Sequence, residues 1–177
     1  MASLESTTWL GDWAWGVPLI LANLLMHVVG LNLIGAFVLG DYASKLRKRV
    51  TSIDFVMVVG VTSVLTISLH GLESVTWGSA YLLLGALSGY KTAMLYSLEA
   101  MTTYGHTNIR LNPRWELLGA MEALQGMLLF GLTTAFLFSI FSAVSPSRTI
   151  KRVRGFQNER DEQGIAEDSK SGEIRFL

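Results

Sequence analysis

Three long stretches of the chain carry no charged side chain: Val17 to Leu39, Phe55 to Leu72 and Ala123 to Ser147. A helix rises about 1.5 Å per residue and needs about 20 mostly apolar residues to cross a hydrocarbon core about 30 Å thick. Each stretch is of that order. The chain as a whole is 16% charged, against roughly a quarter in a soluble domain. An integral membrane protein with three spanning helices is the reading these runs impose. Cysteine is absent, which excludes a disulfide framework and a thiolate metal site. The first apolar run is not preceded by basic residues and is too long for a signal sequence, so it is expected to stay as a span.

The first span is expected over about Val17–Leu39, with Trp9, Trp13 and Trp15 before it and Tyr42 after it as interface anchors. Asn23, His27 and Asn32 interrupt its apolar surface. Such groups usually face protein, because hydrocarbon offers no hydrogen-bond partner, and His27 is expected to act as packing glue. A connector from Asp41 to Asp54 holds Lys45, Arg47, Lys48 and Arg49. The second apolar stretch, Phe55 to about Leu84, exceeds one perpendicular crossing; it must tilt, project, or end in an interfacial piece near Trp77. His70 and Glu73 lie on one face of it by their i,i+3 spacing. An interhelical hydrogen-bonding pair is expected there, with a proton or metal site as the alternative.

Tyr90 to Met101 reads as a helix of about three turns, too short to span. A polar run from Thr102 to Asn108 follows. Asn112 as N-cap, Pro113 at the first helical position and Glu116 in the first turn then start a third span that ends near Phe141. From Ala143 the chain soon reaches Arg148, Lys151, Arg152 and Arg154, and it continues polar and poor in aromatics, as disordered segments do. The two basic groups are expected in the cytoplasm and the N-terminus outside. The segment from Gly85 to Arg114 must then dip in from the outer side and return to it as a re-entrant loop. Residues 1–52 form the outer N-terminus, first helix and basic connector, 53–142 a pore domain, and 143–177 a cytoplasmic tail. The expected location is a plasma or inner membrane.

From Tyr90 to Phe141 the sequence resembles the pore unit of tetrameric potassium channels. Ala93-Met94-Leu95-Tyr96-Ser97-Leu98-Glu99-Ala100-Met101-Thr102-Thr103 is similar to the family's pore helix and the approach to its filter. Trp115 to Gly119, Glu122 to Gly126 and Leu129 to Phe138 resemble its inner helix. The family's filter reads Thr-Val-Gly-Tyr-Gly, usually followed by Asp, and its stacked carbonyls and threonine hydroxyl replace the ion's hydration shell. Here the run is Thr103-Tyr104-Gly105-His106-Thr107, then Asn108. Thr103 and Gly105 match. Tyr104 and His106 are substitutions, and Thr107 stands where the second glycine permits a backbone conformation unfavourable for a β-branched residue.

The resemblance implies a homotetramer in a lipid bilayer, three spans per subunit with a pore helix and filter loop between the second and third. Backbone carbonyls of Thr102, Thr103, Tyr104 and Gly105 would then coordinate a monovalent cation, potassium or sodium, with no cofactor. Glu99 and Asn108 would support the filter from behind, Glu99 bracing the pore helix rather than touching the ion. Gly126 and Gly131 suit either gating hinges or close helix packing. Copies of His106 around the axis suit a proton-sensitive or metal-binding mouth. Thr133, Thr134 and Phe138 are candidates for lining an inner cavity. The departures at Thr107 and Asn108 point to altered selectivity. They leave open a non-conducting scaffold with the channel fold, and a transporter using His106, His70 and Glu73 is a third alternative. No nucleic-acid module, phosphate loop or nucleophile with a matching base is present, so neither an enzyme nor a nucleic-acid partner is expected.

Overall fold

A computed structural model of the chain describes residues 2–45, 52–105 and 108–144. The basic groups Arg47–Arg49 and Arg148–Arg154, the tail, and His106 and Thr107 lie outside the described residues. All regular elements among those described are helical: α1 (Ala2–Lys45), α2 (Ser52–Leu83), α3 (Tyr90–Met101), a 3-10 turn (Pro113–Trp115) and α4 (Glu116–Val144). Three segments are long and apolar enough to cross a membrane: Trp9–Gly40, Ile53–Leu83 and Pro113–Val144.

One boundary differs from the sequence expectation, and one of three alternatives for the second span falls away. Helix α1 starts well before Val17 and runs through Pro18, so Trp9, Trp13 and Trp15 project from the helix itself, all exposed. Helix α2 is continuous through Trp77, with no separate interfacial piece. The Trp77 ring is buried, and its indole N–H donates to Gln125 Oε1 at 2.9 Å. An interior partner satisfies its N–H, as a buried indole requires. The predicted start of the third span is present: Asn112 Oδ1 accepts from the Arg114 amide at 3.1 Å, with Pro113 next.

Helices α1, α2 and α4 pack on one another, and α3 lies against α2 and α4. The core gathers at the α3 end of the bundle, around Trp77, Tyr81, Ala93, Tyr96, Trp115 and Leu118. Helix α2 ends in a Schellman closure. Gly85 sits at φ +65°, its amide bonds to the Leu82 carbonyl at 3.1 Å, and the Ala86 amide reaches Tyr81 at 2.8 Å. Glycine is the usual residue at this left-handed position because it has no Cβ to clash. The far end of the same connection is tied back nearby. The Asn112 amide donates to Ala86 O at 3.0 Å, and the Trp115 indole donates to Leu84 O at 3.1 Å.

The C-terminal end of α3 lies elsewhere, beside Gly126, ten residues into α4, and beside Ser74 of α2, whose hydroxyl contacts Met101 Sδ at 3.1 Å. A Cβ on Gly126 would collide with the carbonyl and Cα of Met101, so this glycine sets how closely α3 approaches α4. Gly131 has open space beside it and is exposed. Overpacking against fixed backbone costs about 1–3 kcal/mol. Gly126→Ala is therefore expected to destabilise the protein by that amount in detergent unfolding titrations. Gly60→Ala, with nothing near it on α2, should stay within about 0.5 kcal/mol.

Candidate functional site

Helix α3 closes with the same motif as α2 but with a different residue at its turning point. The Thr103 amide bonds to Ala100 O at 3.1 Å and the Tyr104 amide to Glu99 O at 3.0 Å. Thr103 takes the left-handed position, at φ +55°, where α2 has Gly85. For a β-branched residue that backbone costs about 1–2 kcal/mol, because Cβ crowds the following carbonyl. The Thr103 hydroxyl offsets part of the strain by donating to Thr102 O at 2.7 Å, and Thr102 Oγ1 donates to Leu98 O at 2.6 Å. Gly105 follows at φ +90°. Thr102, Thr103, Tyr104 and Gly105 are all exposed on the surface of the single chain, Tyr104 to 79%. Asn108 is exposed too, and Glu99 is half-buried on α3.

Behind this loop lies a buried polar chain through α2, α3 and α4. The Tyr81 hydroxyl donates to Glu122 Oε2 at 2.5 Å, and Ser97 Oγ meets Glu122 Oε1 at 2.5 Å. Ser97 Oγ also donates to the Ser74 carbonyl at 3.0 Å. Ser97 has one hydroxyl proton, so both of its contacts are hydrogen bonds only when the Glu122 carboxyl itself carries a proton and donates it to Ser97. The sequence places Glu122 on the third span without marking it as buried. Its partners are 25 and 41 residues away, and no local spacing announces them.

A second polar group sits farther along the bundle and joins α1, α2 and α4. Glu73 is fully buried. Its Oε1 is 2.7 Å from His27 Nδ1, and its Oε2 is 3.0 Å from His70 Nδ1. On the other side of the rings, Thr133 Oγ1 lies 3.0 Å from His70 Nε2 and 3.3 Å from His27 Nε2. The i,i+3 pair predicted on α2 is present, and His27 joins it from α1. Thr133 faces this group rather than any cavity, whereas Thr134 and Phe138 are exposed on α4. The His70 ring stacks on Phe130 with centroids 4.5 Å apart.

The Tyr81–Glu122–Ser97 chain gives a specific expectation. Removing either partner leaves the buried Glu122 carboxyl unsatisfied, its Oε2 acceptor without Tyr81 or its O–H donor without Ser97, at about 1–3 kcal/mol. Tyr81→Phe and Ser97→Ala should each destabilise the folded protein by that amount, and the double variant should lose less than the two combined, since both act on Glu122. Unfolding titrations of the three variants in detergent check this. No protein-family model, curated protein or solved structure matches the chain, so its chemistry rests on these residues.

Proposed function

We propose that the chain is the subunit of a cation channel, homotetrameric as the sequence resemblance to potassium channels implies, with the loop Thr102–Gly105 as its ion path. On this reading α3 is a re-entrant pore helix. It leaves the end of α2, reaches Gly126 and Ser74 partway along the spans, and the chain returns to Ala86 by Asn112. Non-helical backbone at membrane depth is tolerated only where protein buries it or water reaches it. The loop is exposed, so water must reach it or a neighbouring subunit must cover it, and both hold at the axis of a ring. One chain supplies only one wall of such a path, hence the symmetric assembly. The C-terminal end of α3 carries the negative end of its helix dipole toward the path, which favours a cation there.

The observation that carries this reading is Thr103 in a left-handed closure that Gly85 makes without strain on the neighbouring helix. Strain of this kind clusters at functional sites. A threonine hydroxyl and its carbonyl at the inner end of a filter give it a purpose, since such groups replace an ion's hydration shell. Orientation, with the N-terminus outside and the tail in the cytoplasm, follows from the basic residues. Thr107 and Asn108 make sodium as well as potassium a candidate permeant ion.

The test separates fold from function. Thr103→Gly should be as stable as the unmodified protein or more so, because it relieves the strained φ. Yet it should lose at least tenfold in potassium or sodium flux across proteoliposomes. If the unmodified protein, assembled as an oligomer, passes neither ion, the reading fails and a scaffold takes its place. Unchanged flux in Thr103→Gly removes the loop from the ion path.

A further inference from the structure

We infer that His27, His70 and Glu73 form a binding site for a divalent transition metal of the zinc class, held between α1 and α2 inside the membrane. Ligand atoms from the three residues all lie within 4.8 Å of one another. Two imidazole nitrogens and one carboxylate are a donor set that suits zinc and its neighbours. The site does not depend on the channel reading, because it uses no residue of the Thr102–Gly105 loop.

With both imidazoles neutral, hydrogen bonding alone leaves the group one proton short. Four close polar contacts join the two rings to Glu73 and Thr133. Two neutral imidazoles and one hydroxyl supply three protons for those four contacts. The shortfall falls where the geometry is also poorest. His70 Nδ1 and Glu73 Oε2 approach to 3.0 Å, yet both are buried atoms without a hydrogen bond. Buried polar atoms are nearly always paired, and an ion can pair them where hydrogen bonds do not. Glu73 is fully buried, and its Oε2 faces the equally unbonded His70 Nδ1.

A metal on the Glu73 side resolves the deficit. Zinc–nitrogen and zinc–oxygen bonds of about 2.0–2.2 Å at tetrahedral angles put neighbouring ligand atoms about 3.3–3.5 Å apart. The Glu73–imidazole separations, 2.7 Å from Oε1 and 3.0 Å from Oε2, would open by about 0.3–0.8 Å to reach that spacing, while the ligand atoms, now spread within 4.8 Å, would draw in around the ion. With Nδ1 of each ring on the metal, each Nε2–H donates to Thr133 Oγ1, which has two lone pairs to accept them. Ligating histidines almost always donate their second ring N–H in this way, fixing tautomer and orientation. The ion would then tie α1 to α2 directly and to α4 through Thr133. His70 keeps a partly exposed edge, 12% by side chain, for entry.

The test uses the full-length protein in detergent, freed of any affinity tag and stripped with a chelator, titrated with zinc by calorimetry and with cobalt by visible absorption. Zinc should bind at one ion per chain and raise the unfolding temperature, and cobalt should give the ligand-field bands of a nitrogen–oxygen site. His27→Gln and His70→Gln should each weaken binding by more than tenfold. Thr133→Val, which removes only the outer acceptor, should weaken it by roughly 10–100-fold. His106→Gln should leave it in place, which separates this site from the only other histidine in the chain. Failure of the folded, unmodified protein to bind zinc overturns the proposal without recourse to variants. So does binding that survives the His27→Gln, His70→Gln double variant or disappears with His106→Gln.

Discussion

Inside a bilayer the apolar surfaces of the helices gain little by leaving lipid for one another, so packing and buried polar contacts decide how they associate. Here those contacts are concentrated in two groups, and each joins three helices. Glu73 and its histidines connect α1 to α2 and, through Thr133, to α4. Glu122, Tyr81, Ser97 and the Ser74 carbonyl connect α4, α2 and α3. Gln125 extends the second group by accepting from Trp77 and reaching Ile20 O of α1 at 3.4 Å. Between them the two groups fix the relative rotation of all four helices. That rotation decides that Thr102–Gly105 emerges on the surface and that Thr133 does not.

The position of α3 follows from that framework. Its N-terminal end is held near the last turn of α2, where Gly85 and Asn112 bring the connecting chain together. Its C-terminal end reaches Gly126 because that residue has no side chain to keep it away. The strained closure at Thr103 is therefore anchored by packing on two sides, which is what allows an unfavourable backbone to persist. In the proposed channel, a rigid base for the loop is also what ion coordination by carbonyls requires.

Much of the architecture is legible in the order of residue types. Charge-free runs of spanning length locate three long helices, and Asn112-Pro113 marks the start of the last one. The i,i+3 spacing of His70 and Glu73 places them together. What the chain order conceals depends on rotation and distance. His27 is 46 residues from Glu73, and nothing local shows which way it turns. Glu122 lies well inside α4, and only the fold reveals that Tyr81 and Ser97 close around it. Indoles favour headgroups, which points Trp77 toward an interface. The glutamine that accepts its N–H is 48 residues away and allows it to be buried instead. The N-terminal tryptophans suggest a boundary, but the helix continues past them and through Pro18.

The central claim is that Gly85 to Arg114 enters and leaves the membrane on one face and presents Thr103 to an aqueous path. Because the chain has no cysteine, single substitutions each introduce one thiol. The decisive measurement is the sided reaction of Ser88→Cys, Arg110→Cys and Thr103→Cys with a charged, membrane-impermeant thiol reagent in proteoliposomes, followed by cation flux. Ser88→Cys and Arg110→Cys are expected to react from the same face, and Thr103→Cys to react from water with loss of flux. Reaction of Ser88→Cys and Arg110→Cys from opposite faces would contradict the account. So would a Thr103→Cys thiol that water-borne reagent never reaches, or whose modification leaves flux unchanged.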